Sequence, residues 1–299
     1  MTERDPYQGR NVRRGIRQFL SGKLIQAVAS VMVMLITVRV MEVAQYALYI
    51  TALSLAIFLG TVSILGLDRV LTRYVPEGRL KATPTQLIRF IGQVRGLRLL
   101  AVGGVTLSVG LVWPYLAPRL QLPPAGLTLP VLAYSVVHAF DQVQRIVLQS
   151  LMLQAALRNA IAFTWMLRLT LLSVVIVANI PLNAELALWM TLVSEAAGWL
   201  WMVLATGKHY VALRRALPGA TASNVVWPGD MRAILRFGWD NYLMGQASFP
   251  SQARVQQLLV AAYFPLPIVA AFGFFRNLSE QLRSYLPLQL MKNLAEPVM

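Results

Sequence analysis

Long stretches without a charged residue recur along this chain, separated by short basic segments. Runs such as Ala27 to Val38 and Leu169 to Val177 leave no polar face, a pattern that fits a helix buried or lipid-facing on all sides. Crossing the hydrocarbon of a bilayer takes about 20 apolar residues. On that measure eight spans are placed, at roughly 18–38, 43–66, 97–116, 127–153, 159–180, 184–206, 238–263 and 267–290. Barrel strands would instead alternate over about ten residues. The predicted fold class is therefore all-α, a polytopic membrane helix bundle.

The connecting segments divide this bundle. Residues 1–17 read as a basic tail lying on the inner leaflet, where topological anchoring or headgroup recognition would account for it. Arg39, Met41 and Glu42 make a tight outer turn, so spans one and two form a hairpin. The inner segment after span two contains Pro76, Glu77, Gly78 and Pro84. Its part at 85–98 sets Leu87, Ile88, Ile91, Val94 and Leu97 against Arg89, Gln93, Arg95 and Arg98, which predicts an interfacial amphipathic helix running into span three. A second such segment covers 207–236, broken by Pro218, Gly219, Pro228 and Gly229. The expected organisation is a six-helix lobe at 1–206, a cytoplasmic connector at 207–237 and the first two helices of a second lobe at 238–299. Arg17, Phe19, Gly22 and Gln26 weakly echo Arg236, Phe237, Gly245 and Gln246, in keeping with a duplicated plan. The second lobe stops at Met299 after two helices, and a truncated chain is the expectation.

Composition agrees with the pattern. Of the 299 residues 57% are hydrophobic and 13% charged, against about 25% charged in soluble domains. The net charge of +15 would in a soluble protein point to nucleic acid. Here the cations cluster by loop. Arg4, Arg10, Arg13, Arg14, Arg17 and Lys23 lie at the N-terminus, Arg69 to Arg98 after span two, Arg158 after span four, and Lys208 to Arg236 after span six, whereas the opposite loops hold only Arg39 and Arg119. That is the positive-inside bias, which places the N-terminus in the cytoplasm and excludes nucleic acid as a partner. The absence of Cys rules out disulfides and thiolate metal sites, and His138 and His209 are too few for a zinc site. No cleavable leader, phosphate-cradling Gly loop, nucleophile elbow or metal motif is present, so no catalytic residues, cofactor or metal are expected, and the chain is read as a non-enzyme.

Charge inside the spans carries the candidate chemistry, because ionisable residues at that depth face a bundle interior or a water-filled cavity. In span four His138, Asp141, Gln142, Arg145 and Gln149 stack on one helical face. Asp141 and Arg145, at i and i+4, form either a structural ion pair or part of a lumen-facing substrate or proton site. Arg168 in span five and Glu195 in span six reach similar depth, as a pair locking two helices or as an anion-attracting Arg tuned by the acid. Span seven sets Asn241, Gly245, Ser248, Gln252 and Gln256 on one face with Arg254 and a bend at Pro250. Span eight repeats Arg276, Glu280 and Arg283, with a kink at Pro287. The substrate candidates are thus Arg168, Arg145, Arg254, Arg276, Lys23 and Gln26, and the coupling or ion-pair candidates are Glu195, Asp141, His138 and Glu280. Met32, Met34, Trp165, Trp189, Trp199 and Trp201 are assigned to packing and interface anchoring.

Ser21-Gly22-Lys23-Leu24-Ile25-Gln26, Arg39, Glu42, Tyr46, Tyr49, Gly66-Leu67-Asp68, Arg73-Tyr74-Val75-Pro76-Glu77, Arg236-Phe237-Gly238 and Asn241-Tyr242 together resemble the N-terminal part of bacterial polysaccharide-repeat flippases. These belong to the multidrug, oligosaccharidyl-lipid and polysaccharide exporter superfamily. The resemblance implies two helical lobes around a cationic cavity, alternating access, and movement of an undecaprenyl-diphosphate-linked sugar across the inner (cytoplasmic) membrane. It also implies a bilayer setting and partnership with glycosyltransferases or a polymerase. Gln256 and Gln257 stand where many relatives have an Asp-Arg pair. The competing expectations are a cation-coupled multidrug exporter of the same superfamily and a non-transporting scaffold of a polysaccharide assembly complex.

Overall fold

A computed structural model of the chain describes residues 9–123, 125–216, 227, 230–246 and 252–284. Ten α-helices follow one another in it: α1 (Gly9–Val40), α2 (Val43–Val62), α3 (Leu67–Lys81), α4 (Pro84–Arg119), α5 (Thr128–Ser150), α6 (Gln154–Val177), α7 (Ala184–Ala216), α8 (Met231–Gln246), α9 (Ala253–Tyr263) and α10 (Leu266–Ser284). The described residues contain no strand. Four helices, α2, α4, α6 and the Ala184–Ala212 part of α7, are long and apolar enough to cross a membrane, and Leu24–Val40 of α1 is a shorter apolar stretch.

Helices α2 and α5 form the centre. α2 packs against α5, α7, α9 and α10, and α5 against α2, α3, α4 and α7. Small residues make this approach possible: Ala47, Ala52, Ser54, Ala56 and Ala139 are fully buried. α5 is too polar to stand among the four apolar helices, and burial against α2, α3, α4, α6 and α7 is what holds its charged face inside. By contrast, α4 and α6 turn most of their apolar surface outward. Leu100, Leu107, Leu111 and Tyr115 on α4 are each about three-quarters exposed.

Several elements differ from the sequence expectation. The basic segment after span two is helical, as α3. It starts at Gly66, whose φ of 72° is left-handed, and carries Pro76 inside. Its Leu67, Val70, Leu71 and Val75 bury against α4 and α5, and that packing outweighs the hydrogen bond lost at proline. The segment at 85–98 runs without a break into span three. A capping box of Thr83 and Gln86 with Pro84 in the first turn opens a single 36-residue helix, and Leu87, Phe90, Ile91 and Val94 are buried beneath it. α7 likewise extends to Ala216, into the expected connector.

Span seven is two helices. α8 packs on α3 and α9 on α2, with α9 only 11 residues long. Ser248 and Pro250, where a bend was expected, lie outside the described residues, as does Pro287. Gly66 and Gly238 fix the α3–α8 contact: a Cβ on Gly66 would sit 1.8 Å from the Gly238 carbonyl oxygen.

At the basic end a second polar layer ties the bundle together. Gln144 on α5 accepts a hydrogen bond from Arg95 on α4 and donates to the Met202 carbonyl (3.1 Å) and the Thr206 hydroxyl (2.5 Å) on α7. Arg79 on α3 donates to the Leu151 carbonyl at 2.7 Å.

Candidate functional site

α1 leans along α6 and touches α2 and α10 only sparsely. Between them lies a cavity of about 410 Å³ bounded by α1, α2, α5, α6, α7, α9 and α10. Gln26, His138, Asp141, Arg145, Arg168, Glu195 and Arg254 all line it. Seven of the ten candidates therefore meet in one place. Lys23 belongs to α1, and its side chain lies outside the described residues.

Glu195 is the hub. Its Oε2 accepts from the Tyr134 hydroxyl at 2.7 Å and its Oε1 pairs with His138 Nδ1 at 2.7 Å. The Gln142 amide nitrogen lies 3.0 Å from the other imidazole nitrogen, Nε2. An amide NH₂ can only donate, so Nε2 accepts and Nδ1 carries the proton that goes to Glu195. Tyr134 and His138 are also stacked, with ring centroids 5.6 Å apart.

Arg168 reaches the same carboxylate from α6, with Nη2 3.6 Å from Oε2. Its shorter bonds go elsewhere, from Nε to the Ser194 hydroxyl at 3.1 Å and from Nη2 to the Thr191 carbonyl at 3.4 Å, and the guanidinium stands 4.8 Å from the centre of the Trp165 ring. Trp165 is thus part of the cavity wall and of the Arg168 setting, not merely a packing or interface residue. Met34, given the same role, also faces the cavity.

Asp141 and Arg145 form the expected pair one turn apart. Two contacts join them, Nε to Oδ2 and Nη2 to Oδ1, the second at 3.3 Å. Asp141 is buried, while Arg145 retains about a quarter of its side-chain exposure toward the cavity.

The two helices after α8 split the remaining candidates. Arg254 lines the main cavity, with its Nη2 3.2 Å from Glu280 Oε2. Arg276 and Glu280 instead line a separate recess of about 680 Å³ between α9 and α10, where Arg276 Nε lies 3.5 Å from Glu280 Oε1. Gln257 is buried and donates to the Val269 carbonyl at 3.3 Å, pinning α9 to α10, whereas Gln256 lines the recess.

Tyr134, Tyr49, Thr191 and Ser194 were not among the sequence candidates. Tyr134 had a signal, since it precedes His138 by four residues and continues the polar face of α5 one turn back. Trp165 had one too, three residues before Arg168. The Tyr49 hydroxyl, 3.1 Å from the Thr191 hydroxyl, joins helices 142 positions apart, and no local spacing encodes that.

Against known proteins, the chain matches no family model, no curated protein and no solved structure.

Proposed function

We propose that this chain is a membrane transporter, a flippase that carries a lipid-linked oligosaccharide or polysaccharide repeat unit across the bacterial inner membrane by alternating access, with its N-terminus in the cytoplasm. The observation that carries the reading is the lining of the central cavity, where three arginines stand against two carboxylates. Guanidinium groups are the side chains suited to bidentate phosphate contact. Gln26, Gln142, Asn277 and Gln281, with Tyr46, Tyr49 and Trp165, supply the amides and aromatic faces that sugar hydroxyls and rings require. A bilayer setting is supported by the broad apolar faces of α4 and α6, since an exposed surface of that extent in water would aggregate. An undecaprenyl diphosphate fits both requirements, an anionic head for the cavity and a chain for the lipid.

A cation-coupled exporter of cationic drugs is less well supported. Its cargo would need open carboxylates, and Asp141 and Glu195 are taken by Arg145, His138 and Tyr134. Glycosyltransferases or a polymerase of the same pathway are the proposed partners.

Reconstitution into liposomes tests the reading. The full chain should move a fluorescent lipid-linked oligosaccharide between leaflets, and the pair Arg145→Ala and Arg168→Ala should lower the rate at least ten-fold. Transport that survives both substitutions would remove the anion role of the cavity. Binding of a glycosyltransferase without any lipid movement would favour a scaffold.

A further inference from the structure

Each arginine that lines the cavity already has a carboxylate: Arg145 has Asp141, Arg168 has Glu195, and Arg254 has Glu280. Two of these acids line the cavity and the third, Glu280, reaches Arg254 from the neighbouring recess, so with His138 neutral the charges are close to balanced among the described residues. An anion entering it would have to displace one of these acids, which a low-dielectric interior makes costly.

The structure holds a way around that cost. His138 Nε2 accepts from the Gln142 amide nitrogen, while the Gln142 Oε1 is buried and has no partner among the described residues. Turning that amide over would place Oε1 against Nε2. A buried acceptor would gain a donor, and the imidazole could then hold a second proton, giving one N–H to Gln142 and keeping the other on Glu195.

We propose that the cavity takes up one proton from water at His138 together with one anionic group, the proton neutralising Glu195 so that Arg168 is left to meet the anion. This rests on the reading of the cavity as a diphosphate site. The surroundings agree with it. From α7, Glu195 faces the imidazole; from α6, Arg168 faces the same carboxylate; on α5 itself Tyr134 stacks on the ring and Asp141 is occupied by Arg145. From α2, Gly60, which has no side chain, lies against the ring, and Tyr49 is engaged with Thr191; from α4, Arg98 donates to the Gly60 carbonyl oxygen. Arg168 is held by Ser194 and Trp165, contacts that do not involve Glu195, so neutralising the acid changes the charge facing Arg168 and not its anchoring.

Proton and anion binding should then be linked. Imidazole is the side chain whose charge changes between pH 5 and 8. The test is calorimetric binding of a short polyprenyl diphosphate to the full chain in detergent, near pH 8 and near pH 5.5. The expected result is affinity about ten-fold higher on the acid side, within the usual range of coupling between two sites. His138→Asn should lose that gain, which also corrects for titration of the diphosphate itself. Glu195→Gln, which removes the competing charge and leaves an amide oxygen to accept from His138 Nδ1, should bind near pH 8 as tightly as the unmodified protein does near pH 5.5. The inference is overturned if His138→Asn keeps the full pH dependence, or if Glu195→Gln binds no tighter near pH 8. Absence of binding at either pH would overturn the diphosphate reading itself, and this inference with it.

Discussion

Gly60 and His138 meet where α2 crosses α5: a Cβ on Gly60 would lie 3.1 Å from the imidazole Cδ2 and 3.3 Å from the Ser135 carbonyl oxygen. The same residue's carbonyl oxygen accepts from Arg98, a guanidinium with no solvent exposure. Gly60→Ala therefore presses on the ring that holds Glu195. The expected result is a loss of about 1–2 kcal/mol in unfolding experiments in detergent, together with weaker diphosphate binding. An unchanged melting temperature would mean that α2 and α5 are not this closely packed.

Tyr134→Phe removes one of the donors on Glu195 and leaves the carboxylate buried. Its expected cost is about 2 kcal/mol, since a buried acceptor that loses its partner bears the desolvation penalty. Thermal unfolding would show it, and in the Glu195→Gln background the cost of the same substitution should shrink.

Asp141 and Arg145 lend themselves to a double-mutant cycle. Asp141→Asn alone strands a guanidinium and Arg145→Met alone strands a buried carboxylate, each at about 3 kcal/mol, whereas the double variant should recover at least half of the summed loss. Additive losses would show that the two do not interact.

Gln144→Leu tests the polar layer at the basic end. It releases Arg95 and takes a donor from Thr206 and one from the Met202 carbonyl, which keeps the Thr206 hydroxyl, for an expected loss of about 2–3 kcal/mol. Because Gln144 lies outside the cavity lining, its effect should fall on stability and not on ligand affinity. A large shift in affinity would tie the two layers together.

Gly66→Ala is expected to be the most damaging single methyl. The backbone there is left-handed and the added carbon would overlap the Gly238 carbonyl, so α8 must leave α3. Protease cleavage within α8 should rise sharply; resistance like that of the unmodified chain would contradict the contact.

The sequence made some of this legible and not the rest, for physical reasons. The stripe on α5 could be read because a helix repeats its face every three to four residues, and His138, Asp141 and Arg145 do share one face. The meeting of Arg168 with Glu195 followed from depth alone, as each sits near the middle of its helix. What depth could not give was partner choice: Glu195 binds His138 and Tyr134 more closely than it does Arg168. α3 was hidden because proline argues locally against a helix, while the burial of Val70, Leu71 and Val75 that overrides it comes from elements distant in sequence. The separation of Arg276 and Glu280 from Arg254 depends on the orientation of α10 against α9, which spacing along one helix does not set.

The pairing of charges inside the bundle also fixes how the molecule answers to ionic strength. Screening at physiological salt acts over about 8 Å. Arg168 and Glu195 at 3.6 Å are closer than that length, and each side chain is only about a tenth exposed. Lys81 and Glu77 at 3.0 Å on α3 are as close, yet both stand exposed to solvent. Added salt will thus weaken the exposed pair on α3 more than the buried pair at the cavity, so the surface and the interior of the bundle answer differently to ionic strength.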